Sequence, residues 1–185
     1  ESINPKTLAQ INKDKANKAE EYYKTNEKKQ AAVIEILGSF IFGFDTDNVE
    51  MFEETAKFVQ LSGLTIALFN ILTPFPGSKI YEKFKANNRL LHENWDYYDG
   101  SHVCYKPVCM SPKTLKEGIY WIYEQVYSYE SIFQRIHQLW DLWNKHKSRY
   151  SERLIPLINN LKKRDFAMKL RATDTDNLII GEYLN

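Results

Sequence analysis

Residues 33–44 read Val-Ile-Glu-Ile-Leu-Gly-Ser-Phe-Ile-Phe-Gly-Phe, an apolar run rich in β-branched and aromatic side chains. A short run of this kind between polar segments predicts a buried strand of a parallel sheet. Residues 45–48, Asp-Thr-Asp-Asn, end the strand, and Asp47 with Glu50 predicts a capping box that starts a helix. Apolar residues then recur at helical spacing as far as Gly63, which predicts the end of that helix.

A second unit of the same kind follows directly. Residues 64–72 predict a second buried strand, residues 73–77 (Thr-Pro-Phe-Pro-Gly) end it, and a helix is predicted from Lys79 to Asn87. Strand, helix, strand and helix with short connections are typical of parallel α/β units. Upstream of them, residues 5–31 predict a mostly solvated helix that begins after Asn4 as its N-cap.

The sequence changes character after residue 90. Residues 92–102 are aromatic, acidic and irregular, and Ser111 with Pro112 then predicts the start of a long helix. Its apolar positions alternate in steps of four and three as far as Trp143, which indicates a helix packed on other helices. Residues 151–164 predict another amphipathic helix. We therefore expect two domains, an α/β part over 1–90 and a mainly helical extension over 91–185.

The composition excludes several classes of function. The 185 residues include 25 Lys and Arg and 24 Asp and Glu, so the formal charge is +1 and gives no footprint for nucleic acid or an anionic membrane. No apolar run approaches the ~18 residues of a membrane span. Two cysteines make no disulfide framework and favour a reducing, cytoplasmic setting. The opening residue, Glu1, indicates that the chain is a piece of a larger protein.

Few residues offer chemistry by their spacing alone. His102, Cys104 and Cys109 lie close in sequence, but a zinc site generally has tighter ligand pairs, so we expect no metal there. Asp45 and Asp47 suit a general base or a metal, although carboxylates at a helix start more often serve as caps. Spacing alone thus leaves an α/β unit with a helical appendage.

Five segments together resemble one known family. Residues 38–47 (GSFIFGFDTD) resemble the fifth-strand segment of radical S-adenosylmethionine barrels, most closely the cobalamin-binding subgroup. Residues 1–5 resemble the end of the fourth strand, and residues 70–78 resemble the exit of the sixth. Residues 95–100 and 110–112 resemble the extension attached to such barrels. The resemblance implies the C-terminal half of a partial (β/α) barrel with parallel strands, followed by a helical extension.

The resemblance also implies cofactors and their contacts. Members use S-adenosylmethionine, a 4Fe–4S cluster held by a CxxxCxxC motif and, in this subgroup, cobalamin, for radical chemistry that often transfers methyl groups. The motif is absent here, so the cluster ligands are expected outside this chain and the chain alone is expected to be inactive. The cofactor-binding residues that the resemblance implies are Glu1 and Ser2 at the amino-acid or ribose part, and Ser39, Ile41, Gly43, Leu72 and Thr73 along the adenosine. Glycine at position 43 suits either a flat base or close packing.

Two other interpretations remain open. The long aromatic helix fits a non-catalytic binding or assembly module, and a flavodoxin-like nucleotide-binding domain is a third possibility that lacks a phosphate-binding turn. The expected partner is the rest of the parent barrel. We also expect the isolated chain to self-associate through the strands around Ile41 and Leu68 and through Trp140 and Trp143.

Overall fold

The computed structural model of the chain describes residues 2–13, 21–31, 35–145 and 150–170. The described elements are, in chain order, α1 (Pro5–Gln10), α2 (Tyr22–Ala31), β1 (Leu37–Phe42), α3 (Glu50–Leu61), β2 (Ile66–Ile71), α4 (Lys79–Ala86), a 3₁₀ turn (Trp95–Tyr97), α5 (Pro112–Val126), α6 (Tyr129–Lys145) and α7 (Tyr150–Leu170). The predicted order of strand, helix, strand and helix is confirmed, because β1, α3, β2 and α4 follow one another over residues 37–86.

The two strands form a parallel sheet with one buried and one open face. Phe40 stacks on Phe69 across the strands, and Phe42 stacks on Phe52 of α3 with ring centroids 4.7 Å apart. Helix α5 covers the same face, where Tyr123 meets the edge of the Phe69 ring. The open face consists of residues that are exposed or half-buried: Leu37, Ser39, Ile41, Ile66, Leu68 and Asn70.

Two tyrosines of the α5 region close the outer edge of β2. The Tyr127 hydroxyl donates to the Ala67 carbonyl at 2.6 Å and accepts from the Ala67 amide at 3.1 Å. The Tyr123 hydroxyl bonds both backbone groups of Phe69 in the same way, each at 3.3 Å. Further along, the Ile71 amide donates to the Gly100 carbonyl at 2.7 Å. The backbone groups of this edge are thus satisfied without another strand.

A buried arginine joins the helices to the start of β2. Arg135 of α6 is 1% exposed, and its guanidinium donates to the carbonyls of Leu64, Thr65 and Val126 and to the side-chain oxygen of Asn160 of α7. Burial lowers the pKa of Arg135 to about 10. The helical extension therefore packs against the α/β part through hydrogen bonds as well as apolar contact.

Three predicted elements differ from the structure. The helix predicted over 5–31 ends at Gln10, because Asn12 turns the chain with φ of 57°, and residues 14–20 lie outside the described residues. The single helix predicted from Ser111 to Trp143 is two helices, because the Ser128 side chain accepts from the Ser131 amide and starts α6. The first strand begins at Leu37 and ends before Gly43, with residues 32–34 not described.

The capping role predicted for Asp47 is also wrong. Helix α3 begins after Val49 and has no side-chain cap, because the Asp47 carboxylate binds backbone amides of the preceding turn instead. By contrast, the predicted N-cap at Asn4 is confirmed by its bond from the Lys6 amide at 3.0 Å.

The fold class is mixed α/β, with a small parallel sheet of two strands in the described residues. Within the same ranges the sheet does not close into a barrel, and its two strands do not establish the predicted partial barrel. The division of the chain at residue 90 stays a prediction. Among the described helices, none combines the length and apolar character that crossing a bilayer requires.

Candidate functional site

Ser2 and Ser39 line one cavity beside the open face of the sheet. This serine cavity has a volume of about 200 Å³, and its walls are Ser2, Tyr22, Asn26, Ile36, Leu37, Gly38, Ser39, Phe40, Phe58 and Leu64. Ser2 is buried, and its hydroxyl accepts from the Asn4 amide at 3.1 Å, a bond within the first turn of the chain. Two of the residues predicted to bind a cofactor thus come together, while Glu1 lies outside the described residues.

Ile41 lies further along the same face. The strand register places Ser39 opposite Leu68 and Ile41 opposite Asn70. Because successive side chains of a strand alternate between faces, all four project to the open side. The face therefore offers a hydroxyl, an amide and two aliphatic surfaces within two rungs of the ladder.

The turn after β1 is organised by a buried carboxylate. Asp47 Oδ2 accepts from the amides of Gly43 and Phe44, both at 3.1 Å, and Asp47 Oδ1 accepts from the Thr7 hydroxyl at 2.7 Å. Burial raises the pKa of Asp47 above its ordinary value, and these hydrogen bonds offset part of the rise. Asp47 thus joins α1 to the carboxyl end of β1.

Gly43 has a packing reason for being glycine. Its φ is 101°, a conformation that side chains disfavour. A Cβ at this position would overlap the Tyr105 hydroxyl and lie 2.8 Å from Leu115 Cδ2. The same hydroxyl donates to the Gly43 carbonyl at 2.5 Å. Close packing is therefore visible in the structure, whereas contact with a flat base stays a prediction.

Leu72 and Thr73 follow β2 at the same end of the sheet. The Thr73 hydroxyl donates to the Ile71 carbonyl at 3.1 Å, and the Leu72 amide donates to Phe42 at 2.9 Å. Leu72 lines a second cavity of about 320 Å³, the strand-end cavity, with walls from Gln10, Ile11, Asn12, Phe44, Asp45, Leu72, Lys79, Ile80, Lys83 and Phe84. Of the predicted cofactor residues, Ser2 and Ser39 thus line the serine cavity and Leu72 lines the strand-end cavity, whereas Ile41, Gly43 and Thr73 line neither.

Asp45 is held in an ion-pair cluster at the strand-end cavity. Its carboxylate lies 2.7 Å from Lys83 Nζ and 2.8 Å from Arg89 Nη2. Burial alone would raise the pKa of Asp45, but hydrogen bonds from Arg89 and Lys83 hold it below its ordinary value. A carboxylate paired in this way is a poor general base, so Asp45 has a structural reason for its position.

The two cysteines lie apart in their surroundings. Cys104 is buried and its thiol donates to the Tyr97 carbonyl at 3.0 Å, whereas Cys109 is exposed and donates to the Asp45 carbonyl at 3.3 Å. His102 pairs with Asp99 at 2.9 Å. Over the described ranges, no cluster of three His, Cys, Asp or Glu side chains could hold a metal ion.

Sequence reasoning missed a third cavity between β2, α5 and α7. This lysine cavity has a volume of about 260 Å³ and is lined by Leu68, Phe69, Asn70, Ser101, Lys116, Ile119, Tyr120, Tyr123, Lys163 and Phe166. A signal was present in the sequence, because Lys116, Tyr120 and Tyr123 recur at helical spacing on one side of α5.

Three known proteins that are similar to this chain are named as methyltransferases. A bacteriochlorophyllide d C-12(1)-methyltransferase of Chlorobaculum tepidum is 33% identical over 136 residues, which make up 74% of this chain and 29% of that protein. A bacteriochlorophyllide d C-8(2)-methyltransferase of the same organism is 30% identical over 183 residues, or 96% of this chain and 37% of that protein. An uncharacterized methyltransferase of Pyrococcus horikoshii is 45% identical over 62 residues, which are 34% of this chain and 14% of that protein. No protein-family model matches the chain.

These relatives correct the radical S-adenosylmethionine assignment made from the motifs. All three relatives are named as methyltransferases. They give no support to a radical enzyme, to a 4Fe–4S cluster or to cobalamin, and the assembly-module alternative is not better supported. The chain spans about a third of the length of the two bacteriochlorophyllide methyltransferases.

Proposed function

We propose that this chain is part of an S-adenosylmethionine-dependent methyltransferase that acts on a bacteriochlorophyllide-type pigment. The observation that carries the proposal is the similarity to two bacteriochlorophyllide d methyltransferases over 74% and 96% of the chain. Those two proteins are named for different positions of the same pigment, so the proposal extends to the pigment class and not to one carbon atom.

The open face of the sheet is the proposed cofactor wall. S-adenosylmethionine supplies the methyl group when it is bound. The hydroxyls of Ser2 and Ser39 suit its polar ribose and amino-acid parts, and Ile41 offers an apolar surface to its base. Gly43, Leu72 and Thr73 belong to the same proposal, as residues that directly follow the strands. Glu1 belongs to it as the sequence neighbour of Ser2 and lies outside the described residues.

The size of the serine cavity limits what this chain does alone. Sites for small ligands and cofactors commonly measure ~300 to 1,000 Å³, whereas the serine cavity measures about 200 Å³. The residues present therefore fit one side of a cofactor site in kind but not in volume. The remaining walls are proposed to come from the rest of a longer protein.

The edges of the two-stranded sheet support the proposal that the chain is part of a (β/α) barrel. Strand β2 is closed by Tyr123 and Tyr127, whereas in the described residues no strand lies beside the outer edge of β1. Further parallel strands of the longer protein are proposed to add along β1, and self-association of the isolated chain is proposed to use that same edge. Self-association through Trp140 and Trp143 also stays a proposal. Trp140 is half-buried in α6, and the side chain of Trp143 is not among those that the structure describes.

A direct assay tests the proposed function. The full-length protein is incubated with bacteriochlorophyllide d and trideuteromethyl-labelled S-adenosylmethionine, with and without oxygen, and the pigment is analysed by mass spectrometry. We expect a pigment heavier by one labelled methyl group. Pigment of unchanged mass under both conditions, with a protein that binds the cofactor, would remove the proposed substrate class.

Variants of the open face test the cofactor wall separately. Equilibrium dialysis with labelled S-adenosylmethionine compares wild type with Ser39→Ala and Ile41→Ala, and Leu61→Ala on the exposed side of α3 is the control. We expect each open-face variant to weaken binding by about tenfold, since the loss of one hydrogen bond or one aliphatic contact costs ~1 to 2 kcal/mol. Unchanged binding in both variants would place the cofactor elsewhere.

A further inference from the structure

The lysine cavity combines positive charge with aromatic walls. Its lining contains two lysines, Lys116 and Lys163, and none of the described residues that line it is an aspartate or glutamate. The aromatic residues Tyr120, Tyr123 and Phe166 also line it. A cavity lined in this way suits a ligand that has an anionic group attached to an apolar or aromatic body.

Lys116 is a buried residue at this cavity. The side chain is 7% exposed, its Nζ donates to the Ser101 carbonyl at 2.8 Å, and it lies 5.3 Å from the centre of the Tyr120 ring. Removing an ammonium group from water is costly unless other groups compensate for the lost hydration. The Ser101 carbonyl and the Tyr120 ring face both offset part of this cost. A carboxylate in the adjoining space would bind the ammonium group through a hydrogen bond between charged groups, which is stronger than either contact.

Lys163 approaches the same space from α7. Its Nζ lies 5.1 Å from the centre of the Phe166 ring, and that ring meets Tyr123 edge-on with centroids 5.9 Å apart. Two helices that are distant in sequence therefore each bring one lysine and one or more aromatic rings to the cavity. Such convergence makes the positive charge a property of the cavity rather than of one helix surface.

The cavity also touches the proposed cofactor wall. Leu68 and Asn70 line the cavity and belong to the open face, where they lie opposite Ser39 and Ile41. A ligand that enters the cavity would therefore extend toward the face where we place the cofactor. At about 260 Å³ the cavity accommodates an acidic arm and not a whole pigment.

We infer that the lysine cavity binds the carboxylate of the methyl acceptor, with Lys116 and Lys163 as its anion contacts. The inference rests on the proposed function, in that the acceptor class is a flat pigment with a free carboxylic acid. In this arrangement the two lysines position the acceptor and take no part in the transfer of the methyl group.

The test compares an acid with its ester. Bacteriochlorophyllide d and its carboxylate methyl ester are titrated into the full-length protein, and binding is followed by the absorption and fluorescence of the pigment. The variants are Lys163→Met, which keeps an unbranched apolar side chain, and Lys163→Arg, which keeps the charge. Lys162→Met on the exposed side of α7 is the matched control, and Lys116→Met is paired with the exposed Lys113→Met on α5.

We expect wild type to bind the acid about tenfold more tightly than the ester, as a hydrogen bond between charged groups predicts. Lys163→Met should lose this preference, while Lys163→Arg and Lys162→Met should keep it. Binding by Lys116→Met is interpreted only if its thermal unfolding matches that of wild type. If it does not, the binding data of Lys163→Met alone test the inference. Equal binding of acid and ester by wild type, or an unchanged preference in Lys163→Met, would overturn the inference.

The same titration separates this inference from the proposed function. A protein that prefers the acid through Lys163 but transfers no methyl group to it would refute the proposed function and leave the lysine cavity as an anion site. A protein that methylates acid and ester with equal KM and equal affinity would support the proposed function and refute the anion site.

Discussion

Replacing Tyr127 by phenylalanine should destabilise the fold more than the loss of any other single hydroxyl that bonds to the backbone of β2. The ring remains in place, so apolar packing is unchanged, but the amide and carbonyl of Ala67 lose their common partner. A buried backbone group left unsatisfied costs about 1 to 3 kcal/mol, so Tyr127→Phe should lower the free energy of unfolding by about 2 to 4 kcal/mol. Tyr123→Phe should cost less, about 1 to 2 kcal/mol, because both of its bonds to Phe69 measure 3.3 Å.

Urea denaturation followed by far-ultraviolet circular dichroism measures these changes. We expect a lower midpoint with an unchanged slope, because the surface exposed on unfolding is the same. Tyr129→Phe is the control, since Tyr129 is 54% exposed. Hydrogen exchange should also show faster exchange of the Ala67 amide in Tyr127→Phe. A midpoint shift for Tyr127→Phe no larger than that of Tyr129→Phe would refute the view that the tyrosines satisfy this edge.

Three further predictions concern Gly43, Arg135 and the ionisation of Tyr127. Gly43→Ala should destabilise the protein by about 2 to 4 kcal/mol, because the new Cβ overlaps the Tyr105 hydroxyl. The control is Gly77→Ala, which should cost only about 1 kcal/mol, because Gly77 has a φ of 81° but no neighbour within 4 Å. Equal shifts of the thermal unfolding midpoint in the two variants would contradict this prediction. Arg135→Met should lower the free energy of unfolding by about 2 to 4 kcal/mol, because several buried carbonyl groups lose their donor. Chemical denaturation measures this change. A stability equal to that of wild type would show that those carbonyl groups have other hydrogen-bond donors. Burial raises the pKa of Tyr127 to about 12, above its value of ~10 in an unfolded chain. The contribution of Tyr127 to stability is therefore intact below about pH 10 and falls by up to about 3 kcal/mol as the pH rises toward 12. Unfolding curves across this range should show a smaller fall in Tyr127→Phe than in wild type, and an identical fall in the two proteins would refute the prediction.

The local elements could be predicted from the sequence because their causes are local. The alternation of apolar strands and amphipathic helices placed β1, α3, β2 and α4 correctly, and Asn4 and Ser111 both act as the N-caps that their positions before proline predict. The break between α5 and α6 was missed because the apolar spacing runs through it without interruption. What breaks the helix is the capping serine at 128.

The candidate site was harder to predict because its contacts join distant parts of the chain. Tyr105 reaches Gly43 across 62 positions, and Thr7 reaches Asp47 across 40. No spacing rule contains such pairs, so Gly43 and Asp47 were interpreted by their neighbours in sequence. The motif resemblance indicated S-adenosylmethionine and methyl transfer together with radical chemistry that the comparisons do not support.

The tyrosine contacts on β2 have a consequence for the order in which the chain is synthesised. Tyr123 and Tyr127 follow their partners on β2 by 54 and 60 positions, so β2 leaves the ribosome well before the hydroxyls that complete its edge. At typical rates of elongation this delay is ~3 to 12 s. During that interval the nascent strand presents open backbone groups, which are a template for pairing with other chains. Chaperone occupancy on translating ribosomes should therefore decline once α5 has emerged, rather than when the second strand is complete.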